Sequence, residues 1–509
     1  MTTGAAMSLD RLRREGQAFM EELSREYYLA NAGLRRGAEL RPIYARHAEL
    51  FGDEALALTL EAFRDAPEGS DERRGARLVL EWLVDARASS ALAGHEEREL
   101  AWEASAVLDL DEGSRLPYQR AAIAIANAAD RAERMRIEHA RARLVQAELS
   151  PLRRDRFQRE KEYVESVGIA EDYLSTFTAL SGIDLAALGA ECEAFLRDTQ
   201  AMWDEVFPEF VRRGLGIEPR EATRADALAL LRAREFDAFF PGEPMEERIR
   251  GQVREMGIDP TARGRIVFDT GEREGKRSRA FCAPVRVPEE VFLVLRPHGG
   301  QSDWTTFLHE LGHALHFAYT RADQPFEFRW LGDNSVTEGY AMLFDHFTQD
   351  RRWLSRYTSL GRRELPDFLR ASGFEELHFL RRYCGKLLYE TQLYGSGASW
   401  DALPDAYVQR LSDATRFRYD PADAFVDVDQ RFYAARYLRA WQLQAVLGET
   451  LVERFDEDWW RNPRAGPWIL QALFAEGQRE MAGELAERVS GRTISFAPLV
   501  RSVERLLTT

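Results

Sequence analysis

Strand-like texture is confined to one short window of this 509-residue chain, about residues 264–296. There RIVFDT, RAFCAPVRV and VFLVLRP are rich in β-branched and aromatic residues, with GERE and HGGQ as turn punctuation. Elsewhere apolar residues recur mostly at three- and four-residue steps, the period of a helix burying one face. A mainly α protein with a small sheet is expected. The length exceeds one ordinary core, so two or three lobes, or one large helical body with a deep cleft, would fit.

The first half reads helical almost throughout. Its opening segment, SLDRLRREGQAFMEELSREYYLANAG, has a Ser8 cap and a Gly33 stop. From about Tyr118 a charged pattern, IANAADRAERMRIEHARARLVQAELS, runs to a break at Ser150-Pro151 and restarts as RDRFQREKEYVESVG. Its charges are expected to coat a solvated helical hairpin. With 69 basic and 85 acidic residues the net charge is −16, which argues against a nucleic-acid or anionic-membrane partner. The first residues lack an apolar signal core, and no run reaches the length of a membrane span. Cys192, Cys282 and Cys384 are odd in number and far apart, so no disulfide framework is expected. A cytoplasmic protein is the expectation.

Directly after the strand window comes WTTFLHELGHALHFAY, for which Asp303 is the expected N-cap. Trp304, Phe307, Leu308, Leu311, Leu315 and Ala318 mark its buried face. Three of the chain's nine histidines lie here. His309 and His313, one turn apart, can share a metal ion. Glu310 points to the side, where it can reach a metal-bound water. This is the HExxH arrangement, whose mechanics are Zn²⁺ and a general-base glutamate. The bland alternative, two satisfied core histidines, is poor because each ring nitrogen needs a partner. Gly312 in mid-helix costs about 1 kcal/mol relative to Ala, which a close backbone approach would explain.

A catalytic zinc site takes three protein ligands and keeps one open position. Glu338, twenty-four residues beyond His313 within GDNSVTEGYAMLFDHF, is the leading third ligand. It could instead belong to a capping box with Ser335. Asp345 and His346 are weaker rivals, and Asp333 could orient a ligand imidazole.

TFLHELGHALH resembles the metal-binding helix of the thimet oligopeptidase and oligoendopeptidase F family of gluzincin zinc peptidases. GEREGKRSRAFC, VFLVLRP and RRYCGKLLYE add to the resemblance, which is specific over roughly residues 260–450. It implies a bowl- or channel-shaped helical body with one zinc ion, held by His309, His313 and Glu338, at the bottom of a cleft. Residues 1–200 would form one wall, and residues 201–509 the metallopeptidase region containing the sheet and the HExxH helix. VFLVLRP would be an exposed edge to which a peptide adds its backbone. The family also stabilises its oxyanion with a histidine and tyrosines. Here DQRFYAARYLRAWQL offers Tyr433 and Tyr437, while that histidine has no match. Arg436 and Arg439 could grip a substrate carboxylate.

The implied activity is hydrolysis of short peptides, with Glu310 as general base and no membrane or nucleic-acid partner. A metallocarboxypeptidase on the same body is the first alternative. A non-catalytic, metal-containing peptide-binding protein is the alternative from another class.

Overall fold

The computed structural model describes residues 7–110, 113–277, 279–397 and 399–509. Helices dominate, as the periodicity predicts. The chain divides into two compact units, each assembled from three stretches. The first contains residues up to 86, then 235–368 and 439–499; the second contains 87–234, 369–438 and 500–509. Among the described residues, no helix is long and apolar enough to cross a membrane.

In the first unit, the N-terminal helix Leu9–Asn31 starts at Ser8, whose hydroxyl accepts from the Arg11 N–H. Gly33 then adopts φ +71° and ends it. The C-terminal part of this helix packs on the small sheet: Tyr28 stacks on Phe292 at 3.8 Å between ring centroids. Tyr28 and Ala32 share a buried cluster with Ala283, Val285 and Val294.

That sheet has strands β3 (Ile266–Asp269), β4 (Phe281–Arg286) and β5 (Glu290–Val294), in the order β3-β5-β4. Strand β5 runs parallel to β3 and antiparallel to β4. VFLVLRP is therefore central, not the exposed edge expected from the sequence. Its continuous apolar run is what a strand covered on both faces carries, Phe292 being stacked under Tyr28 on one of them. The edges are β3 and β4.

In the second unit, a two-stranded ribbon, β1 (Val107–Asp109) with β2 (Arg115–Pro117), interrupts the helices. The charged pattern becomes the helices Arg131–Leu144 and Ser150–Val167, joined by a π-helical turn at Val145–Leu149. Pro151 sits in the first turn of the later helix, where its missing N–H costs nothing. The chain therefore does not break there.

The expected solvated coat holds only in part: Glu133, Arg136, Arg143 and Glu148 are exposed, but other charges are not. Arg134, Glu138, Arg141, Arg156 and Glu160 are buried. Arg141 meets Glu138 and Asp423 at 2.8 Å each, Arg134 meets Asp226 at 3.2 Å, and Arg156 meets Glu99 at 2.6 Å. Buried charges persist only when paired, and apart from Glu138 these partners, Asp423, Asp226 and Glu99, come from distant parts of the chain.

Candidate metal centre

Two helices of the first unit build the centre. The histidine helix, Gln301–Tyr319, begins after Gly300 at φ +94°, a conformation that favours glycine. Asp303 lies inside the helix, so it is not the N-cap. Its Oδ2 instead accepts from the backbone N–H groups of His298 and Gly299, at 2.6 and 2.9 Å. Asp237, from another segment, accepts from the Gln301 N–H at 3.2 Å. Trp304, Phe307, Leu308, Leu311, Leu315 and Ala318 are buried, as the period requires.

The glutamate helix, Asn334–Asp345, is capped by Asp333, which accepts from the Ser335 N–H at 2.9 Å. Asp333 also accepts from the Ala482 N–H at 3.1 Å. The Ser335–Glu338 capping box does not form, because Asp333 occupies the cap position. Glu338 thus stands one turn into its helix with its carboxylate turned to the histidines.

Gly312 explains how closely the helices approach. A Cβ there would sit 2.7 Å from Ala341 Cα and 2.9 Å from the Tyr340 carbonyl oxygen. The cost of a mid-helix glycine is the condition for bringing ligands on two helices together.

His309 Nε2 lies 3.4 Å and His313 Nε2 3.7 Å from Glu338 Oε2. The candidate ligand atoms of the three residues all fall within 4.8 Å of one another. Zn–N and Zn–O bonds of roughly 2.0–2.1 Å in tetrahedral geometry put neighbouring ligand atoms about 3.4 Å apart. The donor set and its spacing therefore fit a metal ion, with little adjustment.

The outer nitrogens differ. His309 Nδ1 meets Asp345 Oδ2 at 2.9 Å, and Asp345 Oδ1 meets His346 Nδ1 at 2.6 Å. His313 Nδ1 meets the Thr337 hydroxyl at 2.9 Å, and His316 Nδ1 meets the same hydroxyl at 3.2 Å. Asp345 and His346, considered as rival ligands, instead sit behind His309. Asp345 was findable: seven residues after Glu338 is two helical turns, hence the same face. Thr337 carried no such signal.

Burial pushes His309 down, but Asp345 and Glu338 outweigh it and raise it to about 10. The carboxylates thus call for a positive charge on this imidazole, whether a proton or a metal ion. Burial lowers His313 to about 4, so it is neutral and able to ligate. Burial likewise lowers His316 to about 3.

Glu310 faces the sheet, where its Oε2 accepts from the Cys282 N–H of edge strand β4 at 2.8 Å. Burial raises its pKa, against the lowering effects of His309 and this hydrogen bond. Lys276, buried in the stretch that leads to β4, donates to the carbonyls of Asp269, Gly271 and Leu295 and to the Asp269 carboxylate. That lysine fixes the loop between β3 and β4, and so the strand bearing Cys282.

Tyr433 and Tyr437 belong to the second unit, at the start of the helix Tyr433–Phe455. They share a face, with ring centroids 5.0 Å apart, and Tyr383 packs on Tyr437 at 5.5 Å. Arg436 is buried, and Arg439 donates to Gln442 at 2.7 Å, so neither is a solvated surface arginine.

No protein-family model matches this chain, and no curated protein sequence matches it. Solved structures do. The fold is similar to that of a candidate peptidase from Chlamydophila abortus, at TM-score 0.68 and 14% identity, over 98% of this chain and 89% of that one. It is also similar to a Pyrococcus furiosus carboxypeptidase, at TM-score 0.63 and 12% identity, over 98% of this chain and 99% of that one.

Proposed function

We propose that the chain is a zinc-dependent peptidase that cleaves short peptides, of the thimet oligopeptidase and oligoendopeptidase F type. The observation that carries this reading is the convergence of His309, His313 and Glu338, with Glu310 beside them on the histidine helix and hydrogen-bonded to edge strand β4. A purely structural metal site needs four closed ligands and has no use for a raised carboxylate next to three. The similarity to peptidase structures supports hydrolysis of peptides, and the resemblance of TFLHELGHALH supports zinc.

His309, His313 and Glu338 would hold a zinc ion, which would supply Lewis-acid polarisation of the scissile carbonyl and a lowered pKa for the attacking water. Glu310 takes the water's proton and passes it toward the leaving amine; a carboxylate with a raised pKa is suited to both steps. Cys282 holds Glu310 through its backbone N–H. Edge strand β4 is the better candidate than β5 to bind an extended substrate backbone, because among the described residues one of its sides lacks a strand partner. The family resemblance makes Tyr433 and Tyr437 the candidates for oxyanion donor.

Carboxypeptidase action is the second reading, favoured by the similarity to the Pyrococcus furiosus carboxypeptidase. Mass analysis of fragments from an end-blocked, internally quenched peptide separates the two. Internal cleavage that stops on zinc chelation is expected. Cleavage only of substrates with a free C-terminal carboxylate would establish the carboxypeptidase, and no cleavage of either kind would overturn both.

A further inference from the structure

We infer that Thr337 is a positioning residue, whose hydroxyl, pointed by buried His316, locks His313 in its metal-binding tautomer. This rests on the zinc reading above and goes beyond it, to how one of the ligands is oriented.

A ring nitrogen that ligates a metal must present a lone pair. His313 Nε2 is the atom facing Glu338 Oε2, so its proton belongs on Nδ1. That Nδ1 lies 2.9 Å from Thr337 Oγ1, which must then accept. Oγ1 has one hydrogen of its own to place. Its other neighbour at hydrogen-bonding distance is His316 Nδ1, at 3.2 Å. Thr337 is 6% exposed and His316 is fully buried, so water does not readily take that hydrogen. His316 Nδ1 must therefore be the acceptor, which leaves the His316 proton on Nε2. The Nε2 atom is buried without a hydrogen-bond partner in either tautomer, and the Gly477 backbone, which acts on this ring, favours a proton there.

The polarity of the chain is thus fixed from one end to the other: His313 Nδ1–H to Thr337 Oγ1, and Thr337 Oγ1–H to His316 Nδ1. Reversing it would put the proton on His313 Nε2 and remove the lone pair that ligates. If His316 instead carried its proton on Nδ1, two N–H groups would point at one oxygen. The hydroxyl hydrogen would then be buried without an acceptor. Packing supports the same ring pose: His316 meets Tyr340 edge-on at 4.9 Å and lies 5.7 Å from Phe474. The third histidine of the helix, which the metal does not need as a ligand, has a use here. The two ligand imidazoles are consequently held differently, His309 by an ionised carboxylate and His313 by a neutral hydroxyl whose direction is set by a neutral ring.

The test measures zinc dissociation constants by competition with a chromophoric chelator, on wild type, Thr337→Val and Thr337→Ser, with thermal midpoints taken on the same samples. Valine keeps the shape and loses the acceptor; serine keeps the hydroxyl. Zinc binding should weaken about 10–100-fold in Thr337→Val, the usual effect of losing a ligand's outer partner, and remain close to wild type in Thr337→Ser. Wild-type zinc affinity in a folded Thr337→Val would overturn the proposal, as would a loss in Thr337→Ser equal to that in valine. Selective ¹⁵N-histidine spectra of the zinc-loaded wild type do not depend on any variant folding. They should show His316 protonated on Nε2, and protonation on Nδ1 would overturn the proposal. A wild-type protein that binds no zinc would overturn the zinc reading itself, and this proposal with it.

Discussion

The metal centre and the corner before the tyrosine helix hold their side chains by opposite means. His309, His313 and Glu338 are brought together by regular helices at standard spacing, with one glycine allowing close approach. At the corner, in the second unit, Arg431 and Phe432 both adopt positive φ, 58° and 56°, without being glycine. Such backbone persists only where its surroundings over-determine it. Arg431 donates to Glu160 and Ser89, each at 3.1 Å. Asp429 meets Lys386 at 2.9 Å and gives its backbone N–H to Glu390 at 2.7 Å, while Phe432 is buried among Tyr173, Phe177 and Tyr394. The centre depends on periodicity, the corner on long-range buried pairs. Function should therefore be fragile at the first and stability at the second.

The largest separation should come from the ligands. Glu338→Ala or His313→Ala should lose zinc and, with it, activity, while keeping the fold; metal analysis and circular dichroism on one sample check this. Full zinc retention in Glu338→Ala would remove Glu338 from the ligand set.

At the corner the order reverses. Glu160 is fully buried and also accepts from Tyr173 at 3.3 Å. Removing one partner of a buried ion pair typically costs about 3–5 kcal/mol. Glu160→Gln should lower unfolding stability by an amount of that order and leave zinc content unchanged. Denaturant titration checks it, and unchanged stability would mean the positive-φ corner is held by packing alone.

The tyrosines following that corner sharpen the contrast. If either donates to the oxyanion, Tyr437→Phe or Tyr433→Phe should lower kcat about 10²–10³-fold, with KM, zinc content and thermal midpoint nearly unchanged. Wild-type rates in both would place the donor elsewhere.

The smallest effect is thermodynamic. With His309 near 10 and His313 near 4, the ligand set carries a proton on His309 across about pH 5–9, and zinc must displace it. Binding should release about one proton per ion, so apparent affinity rises roughly tenfold per pH unit in that window. Calorimetry in buffers of different ionisation enthalpy measures this, and zero release would mean His309 is already neutral.

The same contrast decides what could be read from the sequence. The histidine pair, its glutamate, the close approach at Gly312 and the three strands are all encoded in local spacing or composition. Glu338 was legible as a site residue because it opens a helix a short connection later. Its freedom from capping was not, since Asp333 and Ser335 are both good cap residues. The order β3-β5-β4 was illegible, because pairing partners are not marked in the strands themselves. So was the burial of Arg134, Arg141 and Arg156, whose partners Asp226, Asp423 and Glu99 lie tens to hundreds of residues away. A charged helical pattern looks the same in sequence whether solvated or paired within a core. Thr337 falls between these cases, adjacent to a ligand but identified only by two distances.

Glu310→Gln tests the central claim most directly, because it changes one carboxyl to an amide beside ligands it leaves intact. Zinc content and turnover of an end-blocked peptide should be measured on the same preparation. The expected result is about one zinc per chain with activity down by at least ~10²–10⁴-fold. Near-normal turnover with zinc in place would contradict it.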